Sequence, residues 1–185
     1  MGTLTVDNLN TSTIIGSGAP LITSATPAFF ARKSTVTGIT NNARNKVECQ
    51  TEVFDSAGQY DNSTNYRFTP QTAGKYYVFG QLQLISEGQG TVYWMLHEIW
   101  KNGTSSGFRI SSYIDFRNTN GNGGGPLCAG IFDMNGSTDY VEFYCYPGMS
   151  SGTPSIGNTG NNMDNFFGAF RICLLYTSPS PRDCQ

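Results

Sequence analysis

From Pro27 to Ile172 the apolar residues do not recur at helical spacing; they come in short alternating runs cut by Gly, Asn and Pro. A strand alternates its side chains between two faces, whereas a helix repeats every 3.6 residues, so this pattern leaves no route to a helical core. The runs fall at 27–35, 46–55, 74–86, 93–103, 108–116, 127–134, 139–146 and 165–172. Turn residues separate them, among them Asn102-Gly103 and Asn135-Gly136, a pairing that favours tight hairpins. The pattern predicts an all-β chain: one jelly-roll β-sandwich of about ten strands.

Some of these runs are apolar on both faces. In the run from Gly74, Tyr76, Val78, Leu82 and Leu84 share one face, and Tyr77, Phe79 and Ile85 the other. In the last run, Phe167 and Ala169 oppose Phe166, Phe170 and Ile172. A sheet packed on one side only should be polar on the other. One set fills a sandwich core, and the other requires a second buried surface, most simply a further copy of the chain. Tyr76, Tyr77, Phe79, Tyr144, Tyr146, Phe166, Phe167 and Phe170 are the candidates for core or trimer interface, with the assignment between the two left open. Composition agrees: 13% of the 185 residues are charged and 13% aromatic, where an average soluble domain is about 25% charged.

Three regions are expected. Residues 1–26 form a polar arm too sparse in apolar residues for a core, either a stem paired with its copies or a loose linker. Residues 27–172 form the domain. Residues 173–185 resemble one reading frame of an adapter used in preparing sequencing libraries, and are expected to carry no structure.

No chemistry-bearing constellation stands out. His97 is the only histidine and shares a face with Met95 and Ile99, so it reads as structural and cannot join a histidine metal cluster. Asp55, Asp61, Asp115, Asp133, Asp139 and Asp164 are scattered without EF-hand spacing. No paired carboxylates suggest a depolymerase, and neither a catalytic residue nor a metal ligand is assigned. Trp94 and Trp100 share a strand face and read as packing residues before sugar platforms. Cys49, Cys128 and Cys145 lack a disulfide spacing, and Cys145 sits in an apolar strand as a small core residue. A net charge of -2 with scattered Lys and Arg argues against nucleic acid. No signal peptide and no run of about 18 apolar residues is present, so cytoplasmic synthesis without membrane insertion is expected. The loop around Asn120, Gly121, Asn122 and Gly123 is the candidate receptor contact.

Several motifs, in order, resemble the globular head of the complement C1q family, within the wider tumour-necrosis-factor jelly-roll group. They are Pro27-Ala28-Phe29-Phe30-Ala31, Tyr60-Asp61, Phe68-Thr69-Pro70, Gly74-Lys75-Tyr76, Lys101-Asn102-Gly103, Asp139-Tyr140-Val141-Glu142-Phe143 and Phe166-Phe167-Gly168-Ala169-Phe170. The chain departs in its longer Tyr60–Phe68 spacing and in Val78 and Gly80, where the family carries aromatics. The resemblance implies a homotrimer with no enzymatic activity and no cofactor, calcium being the one ion some relatives bind. Met1–Leu9 resembles the start of marine phage and bacterial proteins that carry such a head behind a short stem. That implies a virion fibre or tail-tip protein, contacting virion stem proteins and a host-surface protein or glycan, and located on the virion or outside cells. The alternative is a stand-alone bacterial or secreted lectin-like recognition module.

Overall fold

The structure, a computed structural model, describes residues 26–87, 92–103, 108–115, 125–157 and 165–172. Residues 1–25, the 120–123 loop and the 173–185 tail, on which three of the expectations above fall, lie outside the described residues. Fourteen strands run through the described residues. The first half holds β1 (Ala28–Arg32), β2 (Thr37–Gly38), β3 (Asn45–Lys46), β4 (Thr51–Asp55), β5 (Tyr60–Asp61), β6 (Arg67–Phe68) and β7 (Gly74–Gln81). The second holds β8 (Leu84–Glu87), β9 (Val92–Lys101), β10 (Arg109–Asp115), β11 (Cys128–Met134), β12 (Val141–Met149), β13 (Thr153–Ile156) and β14 (Phe166–Arg171). The count exceeds the expected ten because several strands are only two residues long, too short to show an alternation in sequence.

Two antiparallel sheets face each other. The inner sheet runs β11-β7-β14-β1-β4, and the outer sheet β10-β9-β12-β6-β5 with β3 also on β12. A small third sheet, β2-β13-β8, flanks them. The core between the layers is aromatic. Phe29 stacks on Tyr60 at 4.4 Å and on Phe68 at 4.6 Å, and Phe143 stacks on Phe167 at 5.6 Å. Tyr76, Val78, Met95, Ile99, Phe132 and Cys145 complete it, all buried. Cys145 is thus the core residue expected, and Cys49 and Cys128 are buried with it.

Two readings of the sequence need correction. Residues 46–55 alternate as though one strand, with Val47, Cys49, Thr51 and Val53 on one face. Only Val47 and Cys49 are buried. The chain leaves β12 after β3 and joins β1 as β4, so it changes sheets at 47–50; a bulge between Phe30 and Ala31 then shifts the β1–β4 register. Residues 147–162, rich in Gly, Ser and Asn, read in sequence as a loop; this stretch instead contains the end of β12 and all of β13, whose short run is broken by Pro154.

Neither Asn-Gly pair closes a tight hairpin: Asn135-Gly136 joins β11 to β12, which lie in different sheets. Asn102 and Gly103 both take positive φ, 57° and 80°, but the Lys101 N–H donates to the Phe108 carbonyl at 3.0 Å, so the β9–β10 connection is longer than the two-residue hairpin the dipeptide suggests. That turn meets a second motif far away in sequence. The Asn102 amide donates to Asp139 Oδ1 at 2.7 Å, and its oxygen accepts from the Tyr140 N–H at 2.9 Å. Lys101 Nζ closes the group on Asp139 at 2.8 Å. Asp139 is therefore a structural clamp between β9 and β12.

Candidate functional site

Each sheet turns one face to the core and one away, and the two outward faces differ in chemistry. On the inner sheet the outward positions are aromatic. Phe30 of β1, Tyr77 and Phe79 of β7, and Phe166 and Phe170 of β14 form a net of rings with centroids 5.4–6.4 Å apart. Phe54 of β4 extends it at 6.4 Å from Phe30. Gly168 holds the net close to the backbone: a Cβ there would stand 2.7 Å from the Phe79 ring. Together with Arg32, Val53 and Leu127, five of these rings line a shallow groove of about 690 Å³. Phe54, Leu127, Ile131 and Phe170 are each about half exposed, at 51%, 50%, 52% and 46%. Large apolar side chains so exposed and so close together are uncommon on a monomer surface.

The outward face of the outer sheet is mixed: one end carries paired charges, and the other carries Trp94, Leu96, Tyr113 and Tyr146. Strands β10, β9 and β12 set Arg109, Trp100 and Glu142 in one row and Ser111, Glu98 and Tyr144 in the next. Glu98 is fully buried, yet it lies on this outward face, and two arginines cover it. Arg44 Nε donates to Glu98 Oε2 at 2.7 Å, and Arg109 Nη1 approaches Oε1 at 3.6 Å. Both guanidinium groups also lie over Trp100, at 5.5 and 5.0 Å, and Arg44 reaches Tyr146 at 5.3 Å. Glu142 takes Lys46 and the Tyr144 hydroxyl.

These two faces divide the eight aromatic candidates three ways. Tyr76 and Phe167 belong to the core. Tyr77, Phe79, Phe166 and Phe170 come together on the apolar face. Tyr144 and Tyr146 belong to neither, because they stand on the outer sheet among its charges. Trp94 and Trp100 share the outer-sheet face as expected, and Trp100 is buried by arginines rather than by core residues. The apolar face also takes in Val53, Phe54, Leu127 and Ile131, which the sequence did not single out. Exposed apolar residues on edge strands carry no mark until strand pairing is known.

Local bonds and burial set the state of two titratable groups, Asp61 and His97. The Asp61 carboxylate accepts the backbone N–H of Thr64, Ser63 and Asn65 and the Asn65 amide, which hold its pKa far below the ordinary carboxylate value. His97 is buried with Nδ1 on the Pro126 carbonyl at 2.7 Å, and its Nε2 has no partner among the described residues. Burial pushes its pKa down from 6.5 to about 4, with the Pro126 bond opposing. Among the described residues no group of three or more His, Cys, Asp or Glu side chains is placed to hold a metal ion. No helix among them is long and apolar enough to cross a membrane.

No family model matches this chain, and no curated protein matches its sequence. Solved structures do resemble it. Murine APRIL superimposes with a TM-score of 0.50 at 13% identity, covering 80% of this chain and 99% of that one. Eiger TNF from S. frugiperda gives a TM-score of 0.50 at 9% identity, covering 80% of this chain and 94% of that one. The fold is a TNF-like jelly roll, and at these identities the likeness extends to the fold alone.

Proposed function

We infer that this chain is a non-enzymatic recognition head that works as a homotrimer. The contrast between the two outward faces carries this reading. One face of the sandwich carries paired charges over half its rows beside Trp94, Tyr113 and Tyr146, while the other presents a continuous sheet of aromatic rings with no acid among them. Three copies packed around an axis through the inner sheets would cover the rings and leave the outer sheets in solvent. The motif order that resembles C1q heads, and the TNF-like fold, support the same arrangement. Loops presented three at a time would turn weak contacts into avid ones.

The likeness of residues 1–9 to phage proteins extends the reading to a virion fibre or tail-tip head that touches a host surface. Neighbouring genes for tail or capsid proteins would support that placement. A neighbourhood without them would move the chain to a free-standing surface module.

Light scattering across dilution tests the assembly. The expected mass is three times the 20.1 kDa of the chain, unchanged into the low micromolar range. A monomer at all concentrations would leave the aromatic face unexplained and refute the trimer.

A further inference from the structure

Away from the apolar face, a cleft of about 340 Å³ opens between the third sheet and the turn that leads into β3. Three cationic side chains line it, Lys33, Arg44 and Lys46, against one acid, Glu48. Arg44 and Lys46 already face the carboxylates of Glu98 and Glu142. Lys33 differs. It is only 3% exposed, yet its ammonium has no carboxylate within 4.0 Å among the described residues. It donates instead to two neutral hydroxyls, Thr37 Oγ1 at 2.8 Å and Thr35 Oγ1 at 3.3 Å.

An ammonium carries three N–H donors, and these two bonds use two of them. Burying a cation without a counter-charge is unfavourable unless something else supplies the negative charge. Burial accordingly lowers the Lys33 pKa, which the charge of Glu48 partly offsets. Glu48 itself is exposed at the rim.

We propose that this cleft binds a small oxyanion, a carboxylate or sulfate group carried on a ligand, with Lys33 as its buried anchor. Arg44 and Lys46 turn their remaining donors to the same group. Glu48 is the one feature that opposes an anion, so it sets an upper limit on affinity. None of these residues belongs to the apolar face, so this site stands or falls apart from the trimer.

The test uses the full chain, isotope-labelled, titrated with sodium sulfate and separately with sodium acetate. Sodium chloride holds the ionic strength constant. The amide signals of Thr37, Gly38 and Ile39 should shift saturably. Lys33→Met should weaken binding at least about tenfold, the usual consequence of losing a charged hydrogen-bond donor. Glu48→Gln, an exposed change that leaves the fold alone, should tighten it about threefold. Lys75→Met, which removes an exposed lysine paired with Asp133, should leave it unchanged. Saturation by sulfate alone assigns the site to sulfate esters; saturation by both anions assigns it to carboxylate-sized groups. Shifts that grow linearly and survive Lys33→Met, or saturation that Glu48→Gln fails to tighten, would overturn the proposal.

Discussion

Acid should weaken this fold from near pH 6.5 downward, and a single side chain is responsible. His97 is fully buried, held through Nδ1 by the Pro126 carbonyl, and its folded pKa lies near 4 against 6.5 for the free group. Its folded pKa is depressed, so between those values the unfolded chain binds the extra proton and the folded chain does not. Stability therefore falls as pH falls through that window. At about 1.4 kcal/mol per pH unit the loss is about 2 kcal/mol between pH 7 and pH 5, and about 3 kcal/mol in full below pH 4. As His97 is the only histidine, no other imidazole contributes. The depressed carboxylates Asp61 and Asp139 start from 3.8 and lose their contribution only at lower pH. Urea unfolding at a fixed protein concentration, from pH 7.5 to 4.5, gives the slope. His97→Gln keeps a donor for Pro126 and should flatten the curve above pH 4.5. A wild-type curve already flat in that range, or a variant with the wild-type slope, would refute the assignment.

Three further outcomes follow from which side chains the sandwich buries and which it leaves outside. Phe79→Asp should leave the β circular-dichroism signal intact while the light-scattering mass falls toward 20.1 kDa, because the ring lies outside the core. Phe167→Ala should cost about 3–5 kcal/mol in urea unfolding, since its ring is fully buried between Phe143 and Phe29. Cys49, Cys128 and Cys145 should resist alkylation at pH 8 until the protein unfolds, as read by peptide mass spectrometry. Burial pushes the thiols of Cys49 and Cys145 up to about 12 and that of Cys128 to about 11.

Much of the sandwich was legible in sequence because alternation and turn chemistry are local. The runs at 74–86 and 165–172 announce strands that are apolar on both faces, and Asn102-Gly103 announces the end of β9, though not the length of the connection that follows. Which face points inward was not legible, because Tyr76 and Tyr77 are chemically the same. Pairing decides it. Gly80 turns inward beneath Phe143, where a Cβ would stand 2.8 Å from that ring, and Gly168 turns outward beneath Phe79. The paired charges of the outer sheet were hidden for a different reason. Glu98 stands within an otherwise mostly apolar strand, and its partner Arg44 lies 54 residues away. A buried acid of this kind can be understood only once its counter-ion is in place. Lys33 escaped notice likewise, since nothing local marks a lysine as buried.

The strand order of the inner sheet has a consequence for how the protein is made. β14, the last of the described strands, lies in the middle of that sheet, between β7 and β1. A ribosome delivers it last. Until residues 166–171 emerge, β1 and β7 each keep an open edge, and the core lacks Phe167, which packs on Phe29 and Phe143. Open apolar edges are templates for pairing with other chains, and distant partners close slowly. Nascent or truncated chains ending before Phe166 should therefore collect as aggregates or on chaperones, whereas the finished chain closes its central sheet in one late step.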